Sequence, residues 1–258
     1  MSKFTKGRVS LLCPALLHFL ILINTISNVC WANLSDLKVY SPIIEKGEVG
    51  LEILGNTTID DDAEQDKFQY HELEFEKSIT NWWASSITVS LIKPSQETLI
   101  FNNFGWENTV QFTEQGKYLL DLGVHFEFEF DDENEKANAF ELRLLFEKTI
   151  NKYEHIFNIN FEQQYGSSAD ESTEIEYIWR TKNAITNHFS IGFEAYGAMG
   201  EVNDLSPLEK QQHIIGPALY NDFKIGGLEI ETHIVWMFGL TDESADNTIR
   251  WQIEFPFN

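Results

Sequence analysis

Acidic residues recur at every second position along much of this chain. Glu72, Glu74 and Glu76 do so in "YHELEFEKSI", Asp121, Glu127 and Glu129 in "LLDLGVHFEFEF", and Glu229 and Glu231 in "LEIETHIVWMF". Glu141, Glu147, Glu154, Glu162, Glu174, Glu176, Glu194 and Glu254 hold corresponding places elsewhere. On an extended strand a two-residue spacing puts such carboxylates on one face. Few cations share that face, chiefly Arg143, Arg180 and Arg250. Carboxylates lining an enclosed axis would draw cations and repel anions. That selectivity is expected to weaken as pH falls and the carboxylates take up protons. The competing reading is a filled interior, in which Glu–Arg pairs and water satisfy the same groups.

Other candidate chemistry is sparser. "NHFSIG" places His188 two residues before Ser190. A Ser–His pair supports acyl transfer when a third group orients the imidazole, and an outer-membrane lipid hydrolase is the enzyme this would suggest. Both residues lie opposite Phe189 and Ile191, on the polar face beside a short turn, so they read as lining residues; no catalytic residue is expected. The acidic stretches "DDDAEQD" (60–66), "FDDENE" (130–135) and "TDESADN" (241–247) offer oxygen ligands of the kind Ca²⁺ takes. Their spacing fits no EF-hand, and they read as solvated loops, at most bridged through divalent cations to lipopolysaccharide phosphates. The seven histidines are scattered without metal-ligand spacing, and there is no Gly-rich phosphate loop. Neither a metal nor a cofactor is expected.

The elements that would hold the carboxylates are strands. Alternation of apolar and polar residues dominates after Ala32, and a helical period is missing. Twelve segments alternate, over roughly 47–57, 67–79, 84–93, 98–113, 118–130, 138–148, 153–164, 173–183, 188–199, 212–220, 224–239 and 247–257. The fourth changes register near Asn102 and Asn103, which predicts a bulge. Short turns at 80–83, 114–117, 149–152, 182–187 and 220–223 alternate with longer polar loops at 56–66, 131–137, 166–172, 200–212 and 241–247; "KPSQET" (93–98) is of moderate length. This rhythm is that of an up-and-down antiparallel barrel with short turns at one rim.

The first 32 residues differ. A basic start with Lys3, Lys6 and Arg8 precedes "LLCPALLHFLILI" (11–23) and a small-residue site ending at Ala32. This reads as a secretory signal peptide cut after Ala32; the rival is an uncleaved anchor, for which the apolar run is short of the ~20 residues of a span. The chain holds 41 acidic and 18 basic residues, a net charge of −23, which excludes nucleic acid as a partner. Loss of residues 1–32 would remove three basic residues and bring the charge from −23 to −26. Cys13 and Cys30, the two cysteines, would leave with the signal, so no disulfide holds the remainder.

Which face meets protein and which meets lipid is the next question. The segments run well beyond the ~5–6 residues of soluble strands and suit tilted membrane strands of ~9–11. Aromatic residues gather toward the short-turn rim, among them Trp82, Trp83, Phe112, Tyr118, Tyr153, Phe189, Tyr220, Phe223, Phe255 and Phe257, as in an interfacial girdle. The final "IRWQIEFPFN" alternates Ile249, Trp251, Ile253, Phe255 and Phe257 with polar residues and Pro256. In lipid a sheet has to close, so this strand is expected to pair with the first. The fold expected is all-β, an antiparallel up-and-down transmembrane β-barrel of about 12 strands; a secreted soluble sandwich is the rival. The expected organisation is a signal over 1–32, an N-terminal periplasmic segment over 33–46 and the barrel over 47–258.

"YHELEFEKSITNWW", "HFEFEF", "FELRLLFEK", "IGFEAYG", "HIIGPALY", "FGLTDES" and the closing aromatic strand together resemble Gram-negative outer-membrane barrels. The transporter-like set around the MetA phenol-degradation pathway proteins is the group they are most similar to. The resemblance covers nearly all of 40–258 and implies a channel or uptake role for small solutes, outer-membrane lipid and lipopolysaccharide as surroundings, and the barrel-insertion machinery as a partner in biogenesis. Such barrels usually end on Phe, whereas Asn258 follows Phe257 here. The lining set is expected to comprise Glu72, Glu74, Glu76, Asp121, Glu127, Glu129, Glu141, Arg143, Arg180, Glu194, Glu229, Glu231, Arg250 and Glu254, in a cation-preferring channel or, alternatively, in a non-transporting structural or surface-interaction barrel.

Overall fold

The computed structural model describes residues 36–131, 137–166, 169 and 172–257. The signal segment 1–32, most of the acidic loop 131–137 and Asn258 lie outside the described residues. Thirteen strands make one antiparallel sheet: β1 (Val49–Ile59), β2 (Gln69–Ser78), β3 (Trp83–Lys93), β4 (Ile100–Gln111), β5 (Asp121–Phe130), β6 (Asn138–Ile150), β7 (Tyr153–Tyr165), β8 (Thr173–Ala184), β9 (Phe189–Glu201), β10 (Asp204–Leu205), β11 (Gln212–Ile225), β12 (Leu228–Gly239) and β13 (Asn247–Phe257). The two-residue β10 only extends the loop after β9. The other twelve form the wall, each strand beside its chain neighbours, and β1 pairs with β13 from Val49↔Phe257 to Ile59↔Asn247. That last pairing closes the twelve-stranded wall on itself.

Alternation sets the two faces. Phe75 (46% exposed), Leu219 (50%), Trp236 (52%) and Ile234 (54%) stand on the outside with most other large apolar side chains of the strands. Between them, Glu72, Glu74, Thr88, Glu127, Arg143 and Arg250 are buried inside. This inverts a water-soluble barrel, whose apolar face turns inward.

Local chemistry explains the departures from regularity. The predicted irregularity at Asn102 and Asn103 is a bulge, with register passing from Val89↔Phe104 to Leu91↔Phe101. It is organised by one hydroxyl: Ser90 Oγ accepts from Asn102 Nδ2 (3.1 Å) and from the Asn103 N–H (3.2 Å), and donates to Asn103 Oδ1 (2.5 Å). The turn expected at 220–223 is instead part of β11, which runs to Ile225. The hairpin turns at Gly226 and Gly227, both with positive φ (60° and 91°). A Gly-Gly pair takes that two-residue turn without the Cβ penalty, whereas Tyr220–Phe223 continues the alternation. Pro256 lies beyond Glu231↔Glu254, where the β12–β13 pairing ends, and so interrupts no ladder on that side.

Candidate functional site

Residues 36–44 do not stay outside. They were expected in a periplasmic segment, yet they run through the barrel interior and bond to walls all around it. The Tyr40 N–H donates to Asn158 Oδ1 on β7 (3.0 Å), and Asn158 Nδ2 returns a bond to the Tyr40 carbonyl (2.9 Å). Ser41 Oγ donates to Glu147 on β6 (2.6 Å), and the Ile44 N–H to Gln111 on β4 (3.0 Å). Arg250 on β13 donates to the Leu37 carbonyl. Buried backbone donors and acceptors need partners, and the polar inner wall supplies them where an apolar core could not.

Six of the predicted lining residues fall into three groups around this segment. The first surrounds Lys38. Its amine lies 3.2 Å from Glu52 and 3.2 Å from Glu72, and also contacts Glu74. Cross-strand register makes the clamp, because Glu52 pairs with Glu74 and Glu72 is two residues along β2. Tyr70 donates to Glu72 (2.5 Å) and Gln252 to Glu52 (2.7 Å). The second surrounds Arg143, which binds Glu141 (2.6 Å) and Asp36 (2.7 Å) and lies over the Tyr40 ring at 4.5 Å. Asn160 bridges Glu141 and Glu176, at 3.2 Å from each. The third centres on Arg250, 3.3 Å from Glu194 and 2.9 Å from Tyr196 Oη. Tyr196 and Tyr220 both donate to Glu194 (2.5 and 2.8 Å). Beside this third group the inner wall is apolar: Ile178, Ile214, Ala218, Val235 and Met237 pack with Leu37.

Six of the remaining predicted residues lie toward the short-turn rim. Arg180 pairs with Glu154 (2.9 Å). Glu76, Glu231 and Glu254 line a cavity of about 240 Å³, together with Arg180, Lys182 and His233. Glu229 is at the rim itself, paired with Lys224 (2.9 Å) beside the Gly226–Gly227 turn. Asp121 is buried and accepts from the Gly116 N–H (2.7 Å), so it holds the β4–β5 turn. Glu129 accepts from Asn103 of the bulge, and Glu127 is buried beside Glu107.

Several interior residues escape sequence reading. Lys38 and Tyr40 belong to a stretch without strand alternation, and nothing local marks them as interior. Glu107 and His125 sit on β4 and β5, and the grouping of Glu107, His125 and Glu127 needs the pairing Glu107↔Glu127 and Thr109↔His125. A correct β4–β5 register would have revealed it.

The Ser–His motif is not assembled. His188 is exposed before β9, its backbone N–H bonds Thr186 Oγ1, and no hydrogen bond joins it to Ser190. The acidic loops at 60–66 and 241–247 meet, but their carboxylates cap backbone. Asp60 accepts from the Asp62 and Asp246 N–H groups (2.6 and 2.9 Å), and Asp246 from that of Asp61 (3.3 Å). Hydrogen bonds from Lys67 and from the Asp60 N–H hold the Asp66 carboxyl below its ordinary pKa.

No known family and no curated protein matches the chain. Solved structures do match. An outer-membrane channel from Pseudomonas putida F1 superposes with a TM-score of 0.58 at 9% identity, over 83% of this chain and 97% of that one. The NanC porin matches at 0.52 and 11% identity, over 81% and 99%. The KdgM porin matches at 0.51 and 8% identity, again over 81% and 99%. At such identities the likeness is one of fold alone: a closed antiparallel β-barrel of the kind these three structures share.

Proposed function

We propose that the protein is an outer-membrane channel for small solutes, that its acid-rich interior prefers cations, and that residues 36–44 form a constriction within it. The inverted wall carries this reading, with apolar side chains outside and carboxylates, arginines and amides inside. In water such an exterior would be an aggregation surface; in a bilayer it is the required one. The similar solved structures include two porins and a channel, which supports a transport role. Export through a signal over 1–32, contact with lipopolysaccharide at the long-loop rim and insertion by the barrel-insertion machinery belong to the same proposal. Membership of the set around the MetA pathway proteins rests on the motifs quoted above.

The fit of residues 36–44 favours a second reading, a closed barrel with a structural or surface-interaction role. Planar-bilayer recordings separate the two. The channel reading expects discrete conductance, larger when residues 36–44 are deleted. In a KCl gradient it expects a cation-selective reversal potential at pH 7 that shrinks at pH 4. Silence from both the full chain and the deletion variant, with each shown folded by its gel migration before and after boiling, overturns it.

A further inference from the structure

A buried group of ligands sits on the inner wall of β4 and β5 and takes no part in the ion pairs around Lys38, Arg143 and Arg250. Glu107 and Glu127 face each other across the two strands, and His125 precedes Glu127 by two residues on the same face. One ligand atom from each lies within 4.8 Å of the others. His125 and Glu107 are each 1% exposed. Among the described residues, His125 Nε2 and Glu107 Oε1 have no hydrogen-bond partner, although neither reaches solvent. Buried polar atoms left unpaired cost about 1–3 kcal/mol each, and the unpartnered imidazole nitrogen converges with the two carboxylates on one spot.

From this convergence we infer a divalent transition-metal site formed by Glu107, His125 and Glu127. An imidazole with two carboxylates suits Zn²⁺ and its first-row neighbours, whereas Ca²⁺ and Mg²⁺ take oxygen ligands. His125 Nε2 lies 3.8 Å from Glu107 Oε2. Tetrahedral ligands about 2.1 Å from zinc stand about 3.4 Å apart, so this pair is within tenths of an ångström of that spacing, and Glu127 lies within 4.8 Å of both. The far side of the ring is prepared for it. His125 Nδ1 is 3.0 Å from Thr109 Oγ1, and a proton donated there leaves Nε2 free to bind metal, as supporting partners of metal-bound histidines do. Ser86 donates to Glu107 Oε2 (3.2 Å) and Tyr40 Oη reaches the same oxygen at 3.4 Å. The Tyr40 ring covers the imidazole with centroids 4.0 Å apart.

The neighbouring cations pair chiefly with other acids, although Arg143 Nη1 is buried without a hydrogen-bond partner among the described residues. Arg143 is the cross-strand neighbour of His125 and is engaged by Asp36 and Glu141, and Lys38 is engaged by Glu52, Glu72 and Glu74. Among the described residues no Lys or Arg forms a salt bridge with Glu107 or Glu127, and a bound M²⁺ would neutralise the pair. The site does not depend on conduction, and its failure would leave the channel reading intact.

The test uses the folded chain in detergent micelles, stripped with a chelator and titrated with ZnCl2 by calorimetry, with Co²⁺ absorption as a second readout. One equivalent of zinc is expected to bind, undisplaced by excess Ca²⁺. H125Q and the double variant E107Q/E127Q should abolish the stoichiometric site, T109V should weaken it about tenfold, and H188Q, at the exposed rim histidine, should leave it unchanged. Gel migration before and after boiling verifies that each variant folds. Absence of a stoichiometric zinc site in the wild-type chain overturns the proposal whatever the variants do. Undiminished binding by folded H125Q overturns it as well.

Discussion

The two sides of the barrel interior receive the inner segment by different physics. Toward β1, β2 and β4–β7 the wall is ionic, and Lys38 enters a ring of three glutamates while Arg143 grips Asp36. Toward β8, β11 and β12 the wall around Leu37 is locally apolar, and Leu37 packs among Ile178, Ala218, Val235 and Met237. Adjacent residues thus serve opposite surfaces. The ionic side specifies where the segment sits, because a misplaced Lys38 strands buried carboxylates. The apolar side tolerates adjustment, because dispersion contacts have no direction. Leu37 itself adopts φ 50°, an unfavourable left-handed conformation for a bulky residue. Its burial at 2% exposure and the bond from Arg250 to its carbonyl hold it there.

Five substitutions, at Lys38, Leu37, Gly216 and Gly105, would break or sharpen this contrast. The largest effect is expected from K38M, which leaves Glu52, Glu72 and Glu74 crowded and unpaired. Removing one partner of a buried ion pair costs about 4 kcal/mol, and denaturant titration in micelles would read it. A loss below about 1 kcal/mol would mean that water or protons already satisfy the ring.

Next comes Leu37. L37A should cost about 3 kcal/mol through the lost packing. Because this backbone is left-handed, L37G should be at least as stable as L37A, reversing the usual order in which glycine is about 1 kcal/mol worse. Unfolding midpoints of the two variants decide it; the ordinary order would show that the left-handed turn carries no strain.

The smallest effects concern two glycines, one on each side. A Cβ at Gly216 would meet the Trp236 carbonyl oxygen at 1.8 Å, which is backbone. At Gly105 it would meet Thr88 Oγ1 at 2.1 Å and Glu127 Oε1 at 2.3 Å, the ends of side chains that can swing away. G216A is expected to cost about 2–3 kcal/mol and G105A about 1 kcal/mol, within the range for overpacking. Equal losses would mean that the glutamate at Gly105 is as immobile as backbone, as a metal-held Glu127 would be.

Much of this architecture was legible from period alone. A two-residue alternation is local, so "YHELEFEKSI" and "HFEFEF" declare their faces without reference to the rest of the chain. The even strand count, the bulge beside Ser90 and the polar interior follow from the same signal. The turn at 220–223 was misplaced because Asn221 and Asp222 are common turn residues, while Gly226–Gly227 supplies the positive φ that the hairpin needs. Alternation could not say which carboxylates meet a cation and which do not. It placed Glu74 and Glu254 alike, yet one contacts Lys38 and the other lines the cavity.

The sequence by itself determined the strands, their inward and outward sides and the need for closure, because each depends on neighbours one or two residues away. Only the tertiary structure decided that residues 36–44 cross the interior and that Glu107, His125 and Glu127 converge. Those contacts join residues separated by up to 213 positions, as Leu37 and Arg250 are. They are set by register and by how the closed wall faces itself across the axis, neither of which leaves a mark in any short stretch of chain.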